Sequence, residues 1–127
     1  MRSCVLDASA LLAFLLDEPG ADIVGRHLRA GLISSVNYTE VLTRAINTGK
    51  PLAEAVAEIG RLELAIVPHE AELAAVAAFL RAATRPLGLS LADRCCLALG
   101  LTQRVPVLTG DRQWEKVGLD VEIIPIR

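Results

Sequence analysis

The chain has 127 residues, of which 53% are hydrophobic and 22% charged, and its 13 Lys and Arg residues nearly balance its 15 Asp and Glu residues. This length and composition fit one compact soluble domain, residues 1–127, and leave no room for a second substantial domain. A net charge of -2 argues against a polybasic protein that wraps nucleic acid, and an aromatic content of 3% disfavours an aromatic platform that stacks on single-stranded bases.

Short apolar runs alternate with stretches of helical periodicity along the chain. The apolar runs, which are partly β-branched and bounded by polar or turn residues, predict strands at 3–6, 33–35, 64–67, 105–108 and 121–124. The helical periodicity predicts helices at 9–16, 21–30, 36–47, 52–61, 70–83, 90–103 and 112–117. This alternation is typical of an α/β fold with a mostly parallel five-stranded sheet and helices on both faces.

Glycine and proline residues mark the predicted ends of these elements. Gly31 and Gly49 are expected to close helices in a conformation with positive φ, and Pro68, Pro86 and Pro106 interrupt helix propagation.

The cysteine count and the apolar segments indicate a cellular location. Cys4, Cys95 and Cys96 are an odd number, and the last two are neighbours that ordinary disulfide geometry cannot join, so a reducing cytoplasm is expected. The apolar stretch 8–16 follows Asp7 and lacks a small-residue cleavage site, which favours buried structure over a targeting signal. No run is long and apolar enough to predict a membrane-spanning helix.

Four carboxylates follow predicted strands or begin predicted helices. Asp7 lies in CVLDAS, Glu40 in SSVNYTEVL, Asp93 in LSLADR and Asp111 in VLTGDRQW. The strands of a parallel sheet end at one edge, so these four side chains are expected to face one crevice.

Each acid also has a structural interpretation. Asp7 or Ser9, and Asp111 with Thr109, could cap helices. Ser90 and Asp93 have the spacing of a capping box. Glu40 and Arg44 have the i, i+4 spacing of an exposed ion pair.

The four acids together favour a cation site. Carboxylates about 4 Å apart repel by roughly 1 kcal/mol per pair in water and roughly 4 kcal/mol near a protein surface, so a crevice that gathers them needs a counter-ion or raised pKa values. Their hard oxygens suit Mg²⁺ or Mn²⁺. Zinc fits poorly, because the soft ligands have no shared spacing and read as core or surface residues: Cys4, Cys95, Cys96, His27 and His69.

A cation site of this kind can neutralise a phosphate and activate a water, which indicates phosphodiester hydrolysis. The sequence has no Ser-His-Asp or Cys-His set arranged for nucleophilic catalysis and no glycine-rich phosphate loop, so ATP-driven chemistry is not expected.

At these four strings the sequence resembles the PIN-domain family of metal-dependent ribonucleases, and in size and layout a VapC-type toxin of a toxin–antitoxin pair. The likeness runs along the whole chain and is most specific in VLDASALLAFLLDEPG and GLSLADRCCLALGLTQRVPVLTGDRQW. It implies that the metal-binding, catalytic carboxylates are Asp7, Glu40, Asp93 and Asp111. Ser9 and Thr109 would be their polar neighbours.

The resemblance also implies a divalent ion, usually Mg²⁺, and cleavage of single-stranded or looped RNA. It further implies a homodimer and inhibition by a cognate antitoxin protein.

Several other side chains have two interpretations each. Arg44, Arg85, Arg94 and Arg112 are expected to be exposed near the active edge, and we hypothesise that Arg112 touches the substrate backbone. Tyr38 and Trp114 could stack on a base, although packing is favoured. Two apolar stripes read as core, with docking of an antitoxin helix or a second subunit as the alternative: Leu73, Val76, Ala77 and Leu80, and Val24, His27 and Leu28.

Other functions are open at this point. A phosphoacceptor receiver domain would also bind Mg²⁺, but it needs paired acids after the first strand and a Lys after the last, and neither Lys50 nor Lys116 directly follows a predicted strand. A haloacid-dehalogenase-type phosphatase needs two aspartates one residue apart, and Ser9 occupies the second position. A PIN-like domain that has lost activity and serves as a binding or assembly module would usually lack one carboxylate, whereas all four are present here.

Overall fold

A computed structural model describes residues 3–127 and shows a five-stranded sheet with the strand order β3-β2-β1-β4-β5. All four strand pairs are parallel. The strands are β1 (Cys4–Leu6), β2 (Gly31–Ser34), β3 (Ala65–Val67), β4 (Val107–Thr109) and β5 (Ile123–Pro125). The predicted α/β class and the number of strands are confirmed.

Seven α-helices cover the sheet: α1 (Ala8–Leu15), α2 (Ala21–His27), α3 (Ser35–Asn47), α4 (Leu52–Gly60), α5 (Ala71–Phe79), α6 (Arg81–Thr84) and α7 (Leu91–Gln103). Three short 3-10 helices lie at Leu28–Ala30, Arg85–Leu87 and Arg112–Lys116. Within the described residues, no helix combines the length and apolarity needed to cross a membrane.

The helix predicted at 70–83 is divided into α5 and α6. At Leu80 the backbone ψ is -7°, and the buried Thr84 hydroxyl donates to the Leu80 carbonyl oxygen at 2.8 Å. The apolar pattern continues through this break, so hydrophobic periodicity cannot reveal it. The short helix predicted at 112–117 is a 3-10 helix at Arg112–Lys116, which Asp111 caps.

The central strands divide the core into two clusters, one on each face of the sheet. Cys4, Leu6 and Leu108 pack in the first cluster, whereas Val5 and Val107 pack in the second. Alternate residues of a strand point to opposite faces, so both faces of β1 and β4 are covered. This confirms the prediction of helices on both faces.

The aromatic side chains and the apolar stripes that had two interpretations pack in these clusters. Trp114 is buried in the second cluster and Tyr38 packs against the first, as favoured from the sequence. In the stripe at 73–80, Ala77 and Leu80 belong to the second cluster, and Leu73 and Val76 pack against it. Val24 and Leu28 belong to the first. The apolar residues of both stripes therefore pack in the core, whereas His27 is half-buried.

Gly31 does not close a helix with positive φ. Its φ is -80°, and it begins β2. A Cβ at this position would lie 2.7 Å from Leu64 Cδ1 and 3.1 Å from the His27 carbonyl oxygen, so close packing, not backbone conformation, favours glycine here. Gly49 does have positive φ, at 92°.

Gly20 and Gly49 provide a matched pair of stability variants. Both have positive φ, but a Cβ at Gly20 would lie 2.5 Å from the Ile126 carbonyl oxygen, whereas a Cβ at Gly49 meets nothing within 4 Å. We expect Gly49→Ala to lower the free energy of unfolding by about 1 kcal/mol and Gly20→Ala by about 3 kcal/mol, because Gly20→Ala adds a backbone clash to the same conformational cost. Urea unfolding measures both values, and equal losses would contradict the clash.

Candidate active site

Asp7 lies at the carboxyl end of β1 and is the N-cap of α1. It is 5% exposed. Its Oδ1 accepts hydrogen bonds from the Ser9 hydroxyl at 2.7 Å and the Ala10 backbone N–H at 2.8 Å, and its Oδ2 accepts one from the Thr109 hydroxyl at 2.6 Å. The helix-capping interpretation is thus correct, and Asp7 also has a partner 102 positions further along the chain.

The loop after β4 completes this network. The Gly110 backbone N–H donates to Ser9 Oγ at 2.9 Å, and the Asp111 backbone N–H donates to Thr109 Oγ1 at 3.1 Å. The structure therefore places Ser9 and Thr109 beside Asp7, and the two hydroxyls join the carboxyl ends of β1 and β4.

Burial raises the pKa of Asp7 from its usual 3.8 to about 6. Hydrogen bonds from Thr109, Ser9 and Ala10 lower it, and the charge of Asp93 raises it further. The charges of Asp7 and Asp93, two of the four predicted acids, therefore interact in the folded protein.

Asp93 lies in the first turn of α7 and belongs to a capping box. The Ser90 backbone N–H donates to Asp93 Oδ2 at 2.9 Å, and the Asp93 N–H donates to Ser90 Oγ at 3.1 Å. The capping interpretation is confirmed. Because the box uses Oδ2, the local structure also fixes the orientation of the carboxylate.

Glu40 is an exposed residue of α3 whose Oε1 accepts a hydrogen bond from Asn37 Nδ2 at 2.9 Å. The same Nδ2 donates to the Ala92 carbonyl oxygen at 3.1 Å, one residue before Asp93. Within residues 3–127, Glu40 forms no ion pair with Arg44, so that interpretation of the spacing was wrong.

Asp111 is exposed at the end of β4, and its Oδ1 accepts a hydrogen bond from the Gln113 N–H at 3.0 Å. Arg112 follows it and is also exposed. Arg94 does not face the crevice as expected, because its Nη1 donates to the Ala77 carbonyl oxygen of α5 at 3.0 Å. Arg44 and Arg85 are exposed.

Cys96 of α7 carries a buried thiol that the charges of several acids affect. Burial raises its pKa well above the usual value, and the charges of Asp7, Asp93 and Glu40 raise it further. Three of the four acids therefore act electrostatically on one buried thiol. The backbone N–H of Asp111 is joined to Asp7 through the Thr109 hydroxyl, whereas the Asp111 carboxylate accepts from the Gln113 N–H.

The donor chemistry fits a hard divalent cation. All four predicted ligands are carboxylates, which suit Mg²⁺ or Mn²⁺. Within the described chain, no three His, Cys, Asp or Glu side chains lie close enough together to hold an ion as they stand. The soft donors lie elsewhere: the Cys95 thiol contacts His69 Nε2 at 3.4 Å, and His27 Nδ1 bonds to the Ile23 carbonyl oxygen at 2.8 Å.

Sequence reasoning missed Asn37, which is buried at 1% exposure. Its i, i+3 spacing from Glu40 in VNYTE was a signal for the first of its contacts. The contact with Ala92 joins positions 55 residues apart, and local spacing carries no information about it.

The strand order of the sheet tests the receiver-domain alternative. A receiver domain has the strand order 2-1-3-4-5. The order here is β3-β2-β1-β4-β5, which excludes the receiver alternative.

A family model and several solved structures are similar to this chain. The PIN domain model matches residues 4–119. A search of curated proteins found no match. Among solved structures, a toxin–antitoxin complex from Klebsiella pneumoniae aligns with a TM-score of 0.78 and 16% identity, covering 98% of each chain.

Two further structures have the same fold. DNA-bound VapBC from Salmonella typhimurium aligns over 100% of each chain with a TM-score of 0.74 and 15% identity. VapBC-5 from Mycobacterium tuberculosis aligns over 98% of this chain and 99% of its own, with a TM-score of 0.68 and 20% identity. Since the family model covers nearly the whole chain and includes all four acids, the protein belongs to the PIN-domain family.

Proposed function

We propose that this PIN-domain protein is a Mg²⁺-dependent endoribonuclease, with Mn²⁺ as an alternative ion. The observation that carries the proposal is the placement of Asp7, which is buried, held by Ser9 and Thr109, and close enough to Asp93 for their charges to interact. Acids placed in this way in a PIN domain favour phosphodiester hydrolysis over a binding role alone.

The ligands would be Asp7, Glu40, Asp93 and Asp111. A bound Mg²⁺ ion would neutralise the phosphate and lower the pKa of a bound water. The protein's own contribution is orientation: two hydroxyls fix Asp7, the capping box fixes Asp93, and Asn37 holds Glu40. The Asp111 side chain is exposed to solvent, so a polymeric substrate can reach it.

We also propose that the chain is the toxin of a type II toxin–antitoxin pair. Support comes from the solved structures of the same fold, one of which is a toxin–antitoxin complex and two of which are VapBC proteins. The partners would be an RNA substrate, a cognate antitoxin protein and a second copy of the chain. The three cysteines are free and buried, which suits a reducing cytoplasm.

Incubation of the purified chain with a panel of structured RNAs, in Mg²⁺ or in chelator, tests the proposed activity. We expect cleavage only with the ion. Intact RNA throughout, with or without Mg²⁺ or Mn²⁺, would favour an inactive binding module.

Arg112 is expected to contact the substrate backbone, because it is exposed beside Asp111. Arg112→Ala should weaken RNA binding and reduce the slope of log affinity against log salt by about 0.7–1, as for one lost phosphate contact. Filter binding to a catalytically inactive background measures this slope. Arg61→Ala is the control. Arg61 is exposed between α4 and β3, at the amino ends of the strands, whereas the acids follow their carboxyl ends. An unchanged slope for Arg112→Ala would contradict the contact.

A further inference from the structure

Asn37 is among the largest fully buried side chains of the described residues and is the one polar member of that group. It lies one turn before Glu40 on α3 and reaches the first turn of α7. A buried amide in a largely apolar protein costs free energy unless its hydrogen-bonding groups are satisfied, so its contacts indicate why it is there.

The orientation of the Asn37 amide follows from its neighbours. Glu40 Oε1 and the Ala92 carbonyl oxygen are both acceptors, so the nitrogen must face them, and one N–H is available for each. The opposite atom, Oδ1, is buried and finds no partner among the described residues. The amide thus bridges a carboxylate on one helix to the backbone of another.

This bridge joins two of the proposed ligand segments. Ala92 immediately precedes Asp93, so the bond from Asn37 to its carbonyl holds α3 against the turn that carries Asp93. The bond to Glu40 is charge-assisted and restrains a long side chain that is otherwise exposed. Without it, Glu40 would have to lose rotamer freedom when an ion binds.

We propose that Asn37 is a positioning residue for the cation site, which fixes the Glu40 carboxylate relative to Asp93. This inference rests on the proposed function, because it takes Glu40 as a ligand. Asn37 itself acts through Glu40, so its effect on ion binding depends on the Glu40 carboxylate.

A double-mutant cycle on Mn²⁺ affinity tests this dependence. Calorimetry would compare wild type, Asn37→Ala, Glu40→Gln and the double variant. We expect Asn37→Ala to weaken Mn²⁺ binding about tenfold in the wild-type background, as for other residues that orient a ligand. In the Glu40→Gln background we expect less than a twofold change. An equal loss in both backgrounds, or no loss in wild type, would overturn the proposal.

The same cycle separates this inference from the proposed function. If Glu40→Gln leaves Mn²⁺ affinity unchanged, the ligand assignment fails and the inference fails with it. If Glu40→Gln weakens binding but Asn37→Ala does not, the inference alone fails.

Two further variants control for folding. Asn47→Ala removes an exposed amide at the end of α3 and should leave Mn²⁺ affinity unchanged. Asn37→Ser replaces Asn37→Ala if the latter does not give a cooperative thermal transition in chelator. A serine hydroxyl has one hydrogen and cannot donate to both acceptors, so we expect the same dependence on Glu40.

Discussion

Asp7→Asn and Asp93→Asn are each expected to reduce Mg²⁺-dependent RNA cleavage by about 10³-fold or more, because loss of an ion that supplies several kcal/mol of charge stabilisation has an effect of this size. Single-turnover cleavage of an end-labelled RNA measures the loss. Asp120→Asn is the matched control and should leave the rate unchanged. Asp120 is exposed and lies before the amino end of β5, whereas the proposed site lies at the carboxyl ends of the strands.

Cleavage by both variants at the wild-type rate would assign the activity to another site or to a contaminating nuclease. Loss of activity in the Asp120→Asn control as well would indicate a general effect of preparation or folding. Asn is close in shape to Asp and can keep one oxygen acceptor for the Ala10 N–H, so the local cap at Asp7 should survive the change.

The free energy of unfolding of the metal-free protein, measured in chelator, is expected to depend on pH through Asp7. The pKa of Asp7 is about 6 when folded, against a usual value of 3.8, so the folded protein binds more protons than the unfolded chain between these values. Stability from this group is therefore present at low pH, is lost as pH rises from about 4 to about 6, and stays lost above. A difference of about two pKa units corresponds to about 3 kcal/mol.

Urea unfolding of wild type and Asp7→Asn across this pH range isolates the contribution of Asp7, because other titrating groups largely cancel in the difference. Relative to the variant, wild type should lose about 2–3 kcal/mol between pH 4 and pH 7.5. Parallel stability profiles for the two proteins would contradict a raised pKa at Asp7.

The variant Asp93→Asn is a less direct test of charge repulsion than the electrostatic interaction of Asp93 with Asp7 implies. Charge repulsion alone would make the removal of any one carboxylate stabilise the metal-free protein. The structure shows that Asp93 also accepts the Ser90 N–H in its capping box, so Asp93→Asn weakens a helix cap at the same time. Relief of repulsion and loss of the cap oppose each other in Asp93→Asn. At Asp7, by contrast, burial is the largest cause of the raised pKa.

The sequence was informative where local chemistry repeats at fixed spacing. The five strands could be predicted because each is a short apolar run, and the acids at their ends follow from the geometry of parallel sheets. The capping box of Ser90 and Asp93 was visible as a three-residue spacing.

Contacts between distant segments could not be predicted in this way. The hydroxyl bond from Thr109 to Asp7, the amide bridge of Asn37 to Ala92, and the turn of Arg94 toward Ala77 each depend on how two elements pack. The break at Leu80 was hidden because apolar residues continue through it. The sequence indicates that Ser9 and Thr109 are neighbours of the site, but only the structure shows that both hydroxyls donate to Asp7.

A calorimetric titration of Mn²⁺ into wild type and Asp7→Asn tests the central claim that the four acids form a cation site. We expect saturable binding by wild type and an affinity at least tenfold weaker for Asp7→Asn, since a buried ligand that two hydroxyls orient has been neutralised. No uptake of Mn²⁺ or Mg²⁺ by the folded wild-type protein, or equal affinity in the variant, would contradict it.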